Sequence, residues 1–339
     1  MENETVLHLS EVSANQMKIL NQILSTVQEE KNKPISVAIM GETGRGKSSL
    51  LNALFDSELE TSDIAPCTKK VQEVIAKGRS GSQIIFYDLP GIGESGSSDS
   101  KYLKSYLEHL FKCDIVLLAI HVDDRSVTFL LNSFQQLLDA IENDEDKLAV
   151  LRKITIVLTK ADTLSSSPWI LAKYNNYGMF TPSKPTRLIL EQKETYFQDT
   201  FYGCFGQYLK AKVFLDKDPK IIEKGFTFRD GVLEYNGYLT AEEFELLSAK
   251  YPEKSSIFAQ IYDNYRIVPV SARFRFNLVL LMKVIVSKIG QEAVIRFSNY
   301  TSNDDLNKVD LNTAKSFSNI IIFDPNKKVK VFDLCELQI

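Results

Sequence analysis

The stretch Gly41-Glu-Thr-Gly-Arg-Gly-Lys-Ser48 constrains the fold of this 339-residue chain more than any other part of the sequence. It fits the pattern G-x-x-x-x-G-K-[ST], in which glycine backbone amides curl around a phosphate at the start of a helix. The apolar residues 34–40 before it predict a buried strand, and residues 49–55 after it predict the first turns of a helix. This order of strand, loop and helix predicts an α/β protein with a phosphate-binding loop.

Each part of this loop has an expected role. Lys47 is expected to reach the β- and γ-phosphates of a nucleotide, and the Ser48 hydroxyl is expected to bind Mg²⁺. The candidate phosphate-binding residues are Gly41, Glu42, Thr43, Gly44, Arg45, Gly46, Lys47, Ser48 and Ser49.

A second motif ends the apolar stretch Ile84-Ile-Phe-Tyr-Asp88-Leu-Pro-Gly91. D-x-x-G alone is a weak signal, but here it ends a predicted strand that follows a phosphate loop. Asp88 can hold Mg²⁺ through a water, and the Gly91 amide can approach a γ-phosphate. Asp88 and Gly91 are therefore candidate site residues.

Two further motifs concern the base of the nucleotide. Thr159-Lys160-Ala-Asp162 follows the apolar residues 154–158. The Asp162 carboxylate can accept two hydrogen bonds from guanine that adenine cannot offer, and the Lys160 stem can lie along the base plane. Ser271-Ala272 follows another apolar run, and its backbone is expected to contact the guanine O6. These residues predict GTP or GDP, with ATP as the alternative.

The loop between the first helix and the second strand holds Pro66-Cys67-Thr68. Thr68 is the candidate to bind Mg²⁺ when a γ-phosphate is present, and Thr61 and Ser62 are its alternatives. Ser48, Thr68 and Asp88 thus form the candidate metal site, and Lys47, Thr68 and Gly91 are the candidate catalytic residues.

Strand and helix patterns alternate along most of the chain. The predicted strands are residues 35–40, 71–77, 83–88, 114–121, 154–159 and 267–270, and the predicted helices are residues 47–55, 101–111, 127–142 and 275–289. Such alternation predicts a mostly parallel six-stranded sheet with helices on both faces.

The sequence divides into three expected parts. Residues 1–33 form an N-terminal helical extension, because apolar residues recur at helical spacing over 10–30. Residues 34–290 form the nucleotide-binding domain, in which 165–200 is expected to be loop plus helix and about 204–262 an inserted subdomain. Residues 291–339 form a C-terminal extension with a predicted hairpin around Asp324-Pro-Asn-Lys.

Composition indicates a cytoplasmic protein. The chain is 44% hydrophobic and 25% charged, which is typical of soluble globular proteins. Its four cysteines are scattered without paired or metal-like spacing, and no signal peptide or transmembrane run is recognisable. The net charge of −4 gives no overall attraction to nucleic acid or anionic membrane.

Five nucleotide-binding motifs occur in order along the chain. In this the chain resembles the Era-like branch of the translation-factor class of P-loop GTPases. The resemblance covers about 35–290, except for the predicted insertion. A closer resemblance is to the YfjP/YeeP-type bacterial Era-like GTPases. It rests on residues 41–49, Cys67-Thr68, Asp88-Leu-Pro-Gly-Ile-Gly-Glu-Ser-Gly96, Val122-Asp-Asp-Arg125 and Pro168-Trp169. A looser resemblance is to the interferon-inducible GTPases, which share Gly-Glu-Thr-Gly and Asp-Leu-Pro-Gly-Ile-Gly. The resemblance implies the P-loop NTPase fold, GTP and GDP as ligands, and Mg²⁺ as cofactor.

Two departures from the family pattern affect the expected mechanism. Ile92 stands where many regulatory GTPases carry a glutamine that orients the attacking water, so another group, a partner or a second protomer must position it. Gly44 stands where potassium-activated relatives carry an asparagine, so potassium stimulation is not expected. Arg45 and Arg125 are candidates to neutralise charge, and the alternatives are a solvated loop residue for Arg45 and a surface or switch-binding residue for Arg125.

The expected function is hydrolysis of GTP to GDP and phosphate, which drives a conformational switch. The alternative is an interaction module that oligomerises with nucleotide, for example as a homodimer through its GTPase (G) domains, and hydrolyses almost none. The sequence does not identify an effector, whether a protein or a ribonucleoprotein.

Overall fold

The structure is a computed structural model that describes residues 21–22, 24–27, 29, 33–42, 44–55, 72–77, 83–89, 100–124, 127–164, 168–174, 176–288, 305–315, 317, 320–324 and 329–333. Within these ranges, none of the helices combines the length and apolar character needed to span a bilayer. Most of the predicted N-terminal helix lies outside the described residues, although residues 24–27 are helical.

The strands and helices are numbered in chain order. The strands are β1 (Ile35–Met40), β2 (Gln72–Lys77), β3 (Gln83–Asp88), β4 (Ile115–His121), β5 (Ile154–Thr159), β6 (Trp169–Lys173), β7 (Tyr177–Pro182), β8 (Lys210–Phe214), β9 (Phe226–Arg229), β10 (Val232–Asn236), β11 (Val268–Pro269), β12 (Val309–Asp310), β13 (Ile320–Asp324) and β14 (Val329–Asp333). The helices are α1 (Lys47–Phe55), α2 (Ser100–Lys112), α3 (Val127–Asp139), α4 (Asp144–Lys153), α5 (Lys184–Phe205), α6 (Ala241–Lys250), α7 (Ser255–Asp263), α8 (Leu278–Lys288) and α9 (Leu311–Lys315).

The central sheet has six strands in the order β11-β5-β4-β1-β3-β2. All neighbours are parallel except β2, which runs antiparallel to β3 at the edge. This arrangement confirms the predicted mostly parallel six-stranded sheet. Helix α4 had no counterpart in the sequence analysis, and β11 is shorter than its predicted strand.

The middle strands are apolar on both faces because helices cover both sides of the sheet. In β1, Val37 and Ile39 face one core together with α1 and α8, whereas Ala38 and Met40 face the other. The strand start is fixed by a polar contact, since the backbone N–H and the hydroxyl of Ser36 both donate to Asp114 Oδ2, at 2.9 and 2.8 Å.

The interval after β5 contains a β-hairpin that the sequence analysis missed. Loop plus helix was expected over 165–200, but β6 and β7 pair antiparallel before α5 begins. The expectation was wrong because the pairing depends on tertiary contacts. Trp169 and Phe180 point into the core, and Gly178 leaves room for the Leu171 side chain, which would lie 2.4 Å from an added Cβ.

The region predicted as an inserted subdomain folds as a small α+β unit. Strands β8, β10 and β9 form a three-stranded antiparallel sheet, and α6 and α7 follow it. Helix α6 starts with a capping box, in which Glu243 N donates to Thr240 Oγ1 at 3.2 Å and Thr240 N donates to Glu243 Oε2 at 2.9 Å. The division of the chain into domains at 33, 204–262 and 290 stays a prediction.

The C-terminal residues complete a second sheet. Strands β13 and β14 form the predicted hairpin, and β13 also pairs parallel with β6. Strand β12 pairs antiparallel with β7, which gives a five-stranded sheet in the order β12-β7-β6-β13-β14. Strands β12 and β13 are therefore joined to β7 and β6, respectively, by main-chain hydrogen bonds.

The buried side chain of Lys288 makes the stability of this fold depend on pH. Lys288, in the last turn of α8, donates from Nζ to the Ile154 carbonyl of β5 at 2.6 Å. Burial lowers the pKa of Lys288 from 10.5 to about 7. Between pH 7 and 10.5 the unfolded chain therefore holds a proton that the folded chain lacks, so stability rises with pH.

We predict that the free energy of unfolding rises more between pH 7.5 and pH 9 in the wild type than in Lys288→Met. The slopes of this free energy against pH should differ by at most about 1.4 kcal/mol per pH unit between the two proteins. Urea unfolding at the two pH values measures this difference. Lys217→Met, at an exposed loop position, is the control and should keep the wild-type slope. Equal slopes in the wild type and Lys288→Met would contradict the prediction.

Candidate functional site

The phosphate loop between β1 and α1 is shaped by glycines with positive φ. The φ values are 138° at Gly41, 77° at Gly44 and 79° at Gly46. Such angles favour glycine and let successive backbone amides form a concave anion-binding surface. A Cβ at Gly41 would lie 2.3 Å from the carbonyl oxygen of Ala119, so this glycine is required by the close approach of β4.

Lys47 begins α1 and folds back over the loop. Its Nζ donates to the carbonyl oxygens of Gly41 at 2.8 Å and Glu42 at 3.3 Å. The same Nζ lies 3.7 Å from Asp88 Oδ1 at the end of β3. The structure thus brings together the two residues that the phosphate-loop and D-x-x-G motifs single out.

Arg45 is held by two carboxylates. Its Nε donates to Glu42 Oε2 at 2.9 Å, and its Nη2 lies 3.0 Å from Asp124 Oδ2 in the loop after β4. The side chain is 25% exposed and that of Asp124 is 14% exposed, so the pair is partly shielded from water. Arg45 is therefore neither a fully solvated loop residue nor aimed freely at a ligand.

The end of β5 lies against the phosphate loop. Thr159 Oγ1 is 2.7 Å from the Arg45 carbonyl oxygen and 3.1 Å from that of Ile120. Lys160 adopts the left-handed conformation with φ 57°, and its stem carbons lie 3.5 and 3.8 Å from the point where a Cβ on Gly46 would be. The Lys160 stem therefore runs alongside the glycine that ends the phosphate loop.

A pocket of about 180 Å³ opens between these two motifs. It is lined by Gly46, Ser49, Leu50, Thr159, Lys160, Asp162, Thr163, Val270, Ala272 and Arg273. Asp162 is half-buried, and among the described residues its carboxylate has no hydrogen-bond or ion-pair partner. A half-buried carboxylate of this kind is available to bind a ligand that donates hydrogen bonds.

The loop after β11, residues 271–277, forms the opposite wall of this pocket. The Ala161 N–H donates to the Val270 carbonyl at 2.9 Å and joins the two base motifs directly. Ser271 is buried, and its Oγ accepts from Phe274 N at 2.9 Å. The Ser271 hydroxyl therefore shapes the loop, while Ala272 and Arg273 face the pocket.

His121 ends β4 beside these loops. Burial lowers its pKa below the ordinary value, and the positive charges of Arg45 and Lys160 lower it further. Its Nδ1 accepts from Asp123 N at 3.1 Å, so the neutral ring carries its proton on Nε2. His121 is accordingly neutral at physiological pH and adds no positive charge to the site.

Several predicted positions lie outside the described residues. They are Thr43, Thr61, Ser62, Cys67, Thr68, Gly91, Ile92 and Arg125. The roles assigned to Thr68 in Mg²⁺ binding and to Gly91 at the γ-phosphate stay predictions.

The described donors fit the implied Mg²⁺ ion in their chemistry. Ser48 offers a hydroxyl at the start of α1, and Asp88 offers a carboxylate next to Lys47. Mg²⁺ prefers oxygen ligands and is usually held by one or two protein groups together with phosphate oxygens and waters. A hydroxyl and a carboxylate beside a phosphate loop match that preference.

Two residues of the site were not singled out for these roles by the sequence analysis. Asp124, which pairs with Arg45, belongs to a segment noted only for its family resemblance. Arg273, which lines the pocket, directly follows Ser271-Ala272. Its position after a base motif is a local signal, whereas the partner of Asp124 can be known only from the fold.

Residues 36–160 match the family described as 50S ribosome-binding GTPase. The chain is 33% identical over 146 residues to the uncharacterized protein YkfA of Escherichia coli (strain K12), covering 42% of this chain and 47% of YkfA. It is 39% identical over 111 residues to the uncharacterized protein YfjP of the same strain, covering 32% of this chain and 38% of YfjP. The chain thus spans less than half the length of these two relatives.

A third relative is matched over a longer stretch at lower identity. The chain is 26% identical over 298 residues to GTPase Era of Helicobacter pylori (strain G27), covering 86% of this chain and 91% of Era. The similarity therefore extends beyond the region matched by the family.

Two of the three glycines of the phosphate loop provide a matched pair for testing its geometry. We predict that Gly41→Ala lowers the free energy of unfolding much more than Gly44→Ala, because its Cβ would meet fixed backbone of β4 whereas a Cβ on Gly44 meets no described atom within 4 Å. Gly44→Ala should cost only the backbone strain of a positive φ, about 1–2 kcal/mol. Denaturant unfolding without nucleotide measures both changes. Similar losses would contradict the assigned contact between Gly41 and Ala119.

Proposed function

We propose that this chain, which carries an Era-like P-loop GTPase domain related to the YfjP-type proteins, binds GTP and GDP and hydrolyses GTP to GDP and phosphate. One observation carries the proposal. A single pocket is lined by Gly46 and Ser49 from the phosphate-loop region and by Lys160, Asp162 and Ala272 from the base motifs. Residues of the predicted phosphate-binding and base-binding motifs therefore line the same pocket, which supports binding of one nucleotide across both.

The choice of guanine rests on Asp162. Its carboxylate can accept from both N1–H and the 2-amino group of guanine, while adenine has no such pair of donors. The Lys160 stem beside Gly46 supplies an apolar surface for the plane of the base. Burial of unsatisfied donors or acceptors makes the wrong base costly, so the contact with Asp162 favours GTP over ATP, while the Lys160 stem can pack on either purine.

In this proposal, Lys47 and the backbone amides of the phosphate loop bind the phosphates of the nucleotide. The Lys47 ammonium, now bound to two loop carbonyls, is positioned to bind the β- and γ-phosphates and to absorb the charge that develops between them. Ser48 and Asp88, with Thr68 as a further candidate, would hold Mg²⁺. When bound, the ion neutralises charge on the phosphate oxygens and orients them for in-line attack.

The attacking water has to be positioned by a group other than Ile92. Ile92 has neither donor nor acceptor with which to orient a water. We propose that another group of this chain, a partner or a second protomer contacting the G domain supplies that function. Hydrolysis would then drive a conformational switch, with a slow basal rate that rises on assembly.

The proposal includes a cytoplasmic location, supported by the free thiols of Cys113 and Cys204. The effector of the switch is left open between a protein and a ribonucleoprotein.

We predict that Asp162→Asn weakens GTP binding by about 2–4 kcal/mol and gains binding of xanthosine triphosphate. An amide at this position can donate to the additional carbonyl of xanthine, which the carboxylate repels. Calorimetric titration with GTP, ATP and xanthosine triphosphate measures the change. Asp199→Asn, an exposed carboxylate on α5, is the control and should bind like the wild type. Unchanged GTP affinity in Asp162→Asn would contradict the proposal that Asp162 recognises the guanine base.

We predict that single-turnover hydrolysis of GTP per molecule increases with protein concentration and is lost in Lys47→Ala. Ile92→Ala should change the basal rate by less than about tenfold, because the isoleucine orients no water. Lys173→Ala, at an exposed position, should behave as wild type. Rates that do not depend on concentration would argue against activation by a second protomer. No hydrolysis at any concentration would favour the oligomerising module instead.

A further inference from the structure

The base-motif loop, residues 271–277, contacts a segment that lies later in the sequence. This segment consists of residues 305–315 and 317 and is here called the base clamp. Two arginines of the loop, Arg273 and Arg275, contact it directly. The sequence analysis assigned no role in nucleotide binding to Arg273, to Arg275 or to the base clamp.

Arg273 is the first of these links. It lines the nucleotide pocket beside Ala272, and its guanidinium carbon lies 4.4 Å from the centre of the Phe317 ring. Arg273 is exposed, whereas Phe317 is only 8% exposed. A planar guanidinium over an aromatic face is held by both cation–π attraction and stacking. The guanidinium carbon also lies 5.8 Å from the centre of the Phe274 ring, so Phe317 is the nearer of two rings that orient Arg273.

Phe317 is fixed in turn by an aromatic cluster. Its ring centre lies 5.2 Å from that of Phe274 and 5.9 Å from that of Phe180. Phe180 of β7 stacks on Phe274 with ring centres 4.2 Å apart and planes 14° apart. Since Phe274 belongs to the base-motif loop, this loop and the base clamp share one rigid packing unit.

Arg275 is the second link. Its φ is 49°, and its Nε donates to the Leu306 carbonyl at 2.7 Å. Its Nη2 donates to the Ala53 carbonyl of α1, the helix that begins at Lys47, at 3.3 Å. One guanidinium therefore ties together the base clamp, the base-motif loop and the phosphate-binding helix.

A third contact fixes the start of the helix after the loop. Asn307 Oδ1 accepts from Val279 N in the first turn of α8 at 3.2 Å. The backbone N–H groups of a first helical turn have no partner within the helix, so a carbonyl supplied from elsewhere stabilises it. The loop is thus contacted by the clamp through Arg273 and Arg275 and, just beyond the loop, at Val279.

We propose that the base clamp sets how long a guanine nucleotide stays bound, and that Phe317 acts as a positioning residue through Arg273. The inference rests on the proposed binding of guanine nucleotides. It follows from the geometry that GDP and GTP are affected equally, because the clamp contacts the base side of the pocket. Coupling between two sites is reciprocal, so anything that displaces the clamp loosens the nucleotide, and the nucleotide tightens the clamp.

The first test measures dissociation of GDP and of a nonhydrolysable GTP analogue from the full chain by displacement. Phe317→Leu keeps an apolar side chain but removes the aromatic face, and we expect both nucleotides to leave about five- to tenfold faster. Phe317→Tyr keeps the face and should restore the wild-type rate to within about twofold. Equal rates in Phe317→Leu and the wild type would overturn the proposal.

Phe180→Leu is the matched control for loss of packing. It removes a ring from the same cluster, and the cation–π contacts of Arg273 among the described residues are with Phe317 and Phe274 rather than with Phe180. Thermal unfolding should place the two leucine variants at comparable stability, while dissociation in Phe180→Leu stays within about twofold of wild type. If Phe180→Leu releases nucleotide as fast as Phe317→Leu, the effect is general destabilisation and the proposal fails.

The second test needs no substitution, so it tests the role of the base clamp even if Phe317→Leu does not fold. Hydrogen exchange of the wild-type protein is compared with and without saturating GDP, and we expect slower exchange over residues 305–315 when GDP is bound. Unchanged exchange there, with protection at the phosphate loop, would overturn the base clamp and leave the proposed function intact. Failure of the wild type to bind either nucleotide would instead overturn the proposed function and the clamp with it.

Discussion

The parallel pairing of β1 with β3 on one side and with β4 on the other is the constraint on which the rest of the site depends. Because β5 and β11 continue the same direction, the carboxyl ends of these strands lie along one edge of the sheet. The described loops that carry nucleotide motifs, after β1, β5 and β11, leave the sheet at that edge. Residues from distant parts of the chain therefore need only a correct strand order to meet around one pocket.

The loops at this edge also hold one another in place. Thr159 contacts the carbonyl of Arg45, and the Arg45 side chain contacts Asp124 after β4. The neighbouring Asp123 accepts from Lys193 of α5 at 3.2 Å. The phosphate loop is thus linked through charged side chains to the long helix that precedes the small α+β unit.

The sequence predicts the central sheet, which the structure confirms, and it singles out the motif residues, because both depend on local patterns. The apolar runs of β1, β4 and β5 are buried on both faces, and Lys47, Asp88 and Asp162 lie in short motifs that follow such runs. The β6–β7 hairpin was missed because its strands are completed by β12 and β13, far away in sequence. The bond between Arg275 and Ala53 spans 222 residues, and no local pattern reports a contact of that kind.

The environment of Arg45 argues for a role in positioning rather than in catalysis. Its guanidinium is partly buried and already shared between Glu42 and Asp124, so turning it toward a phosphate would break its contacts with both carboxylates. Loss of one member of a partly buried ion pair is costly, because the remaining charges stay shielded from water. Lys47 is bound differently, since its ammonium donates to two loop carbonyl oxygens and lies 3.7 Å from a single carboxylate, that of Asp88. The charge that we propose for a nucleotide phosphate at this loop is therefore that of Lys47, while Arg45 joins the phosphate loop to the loop after β4.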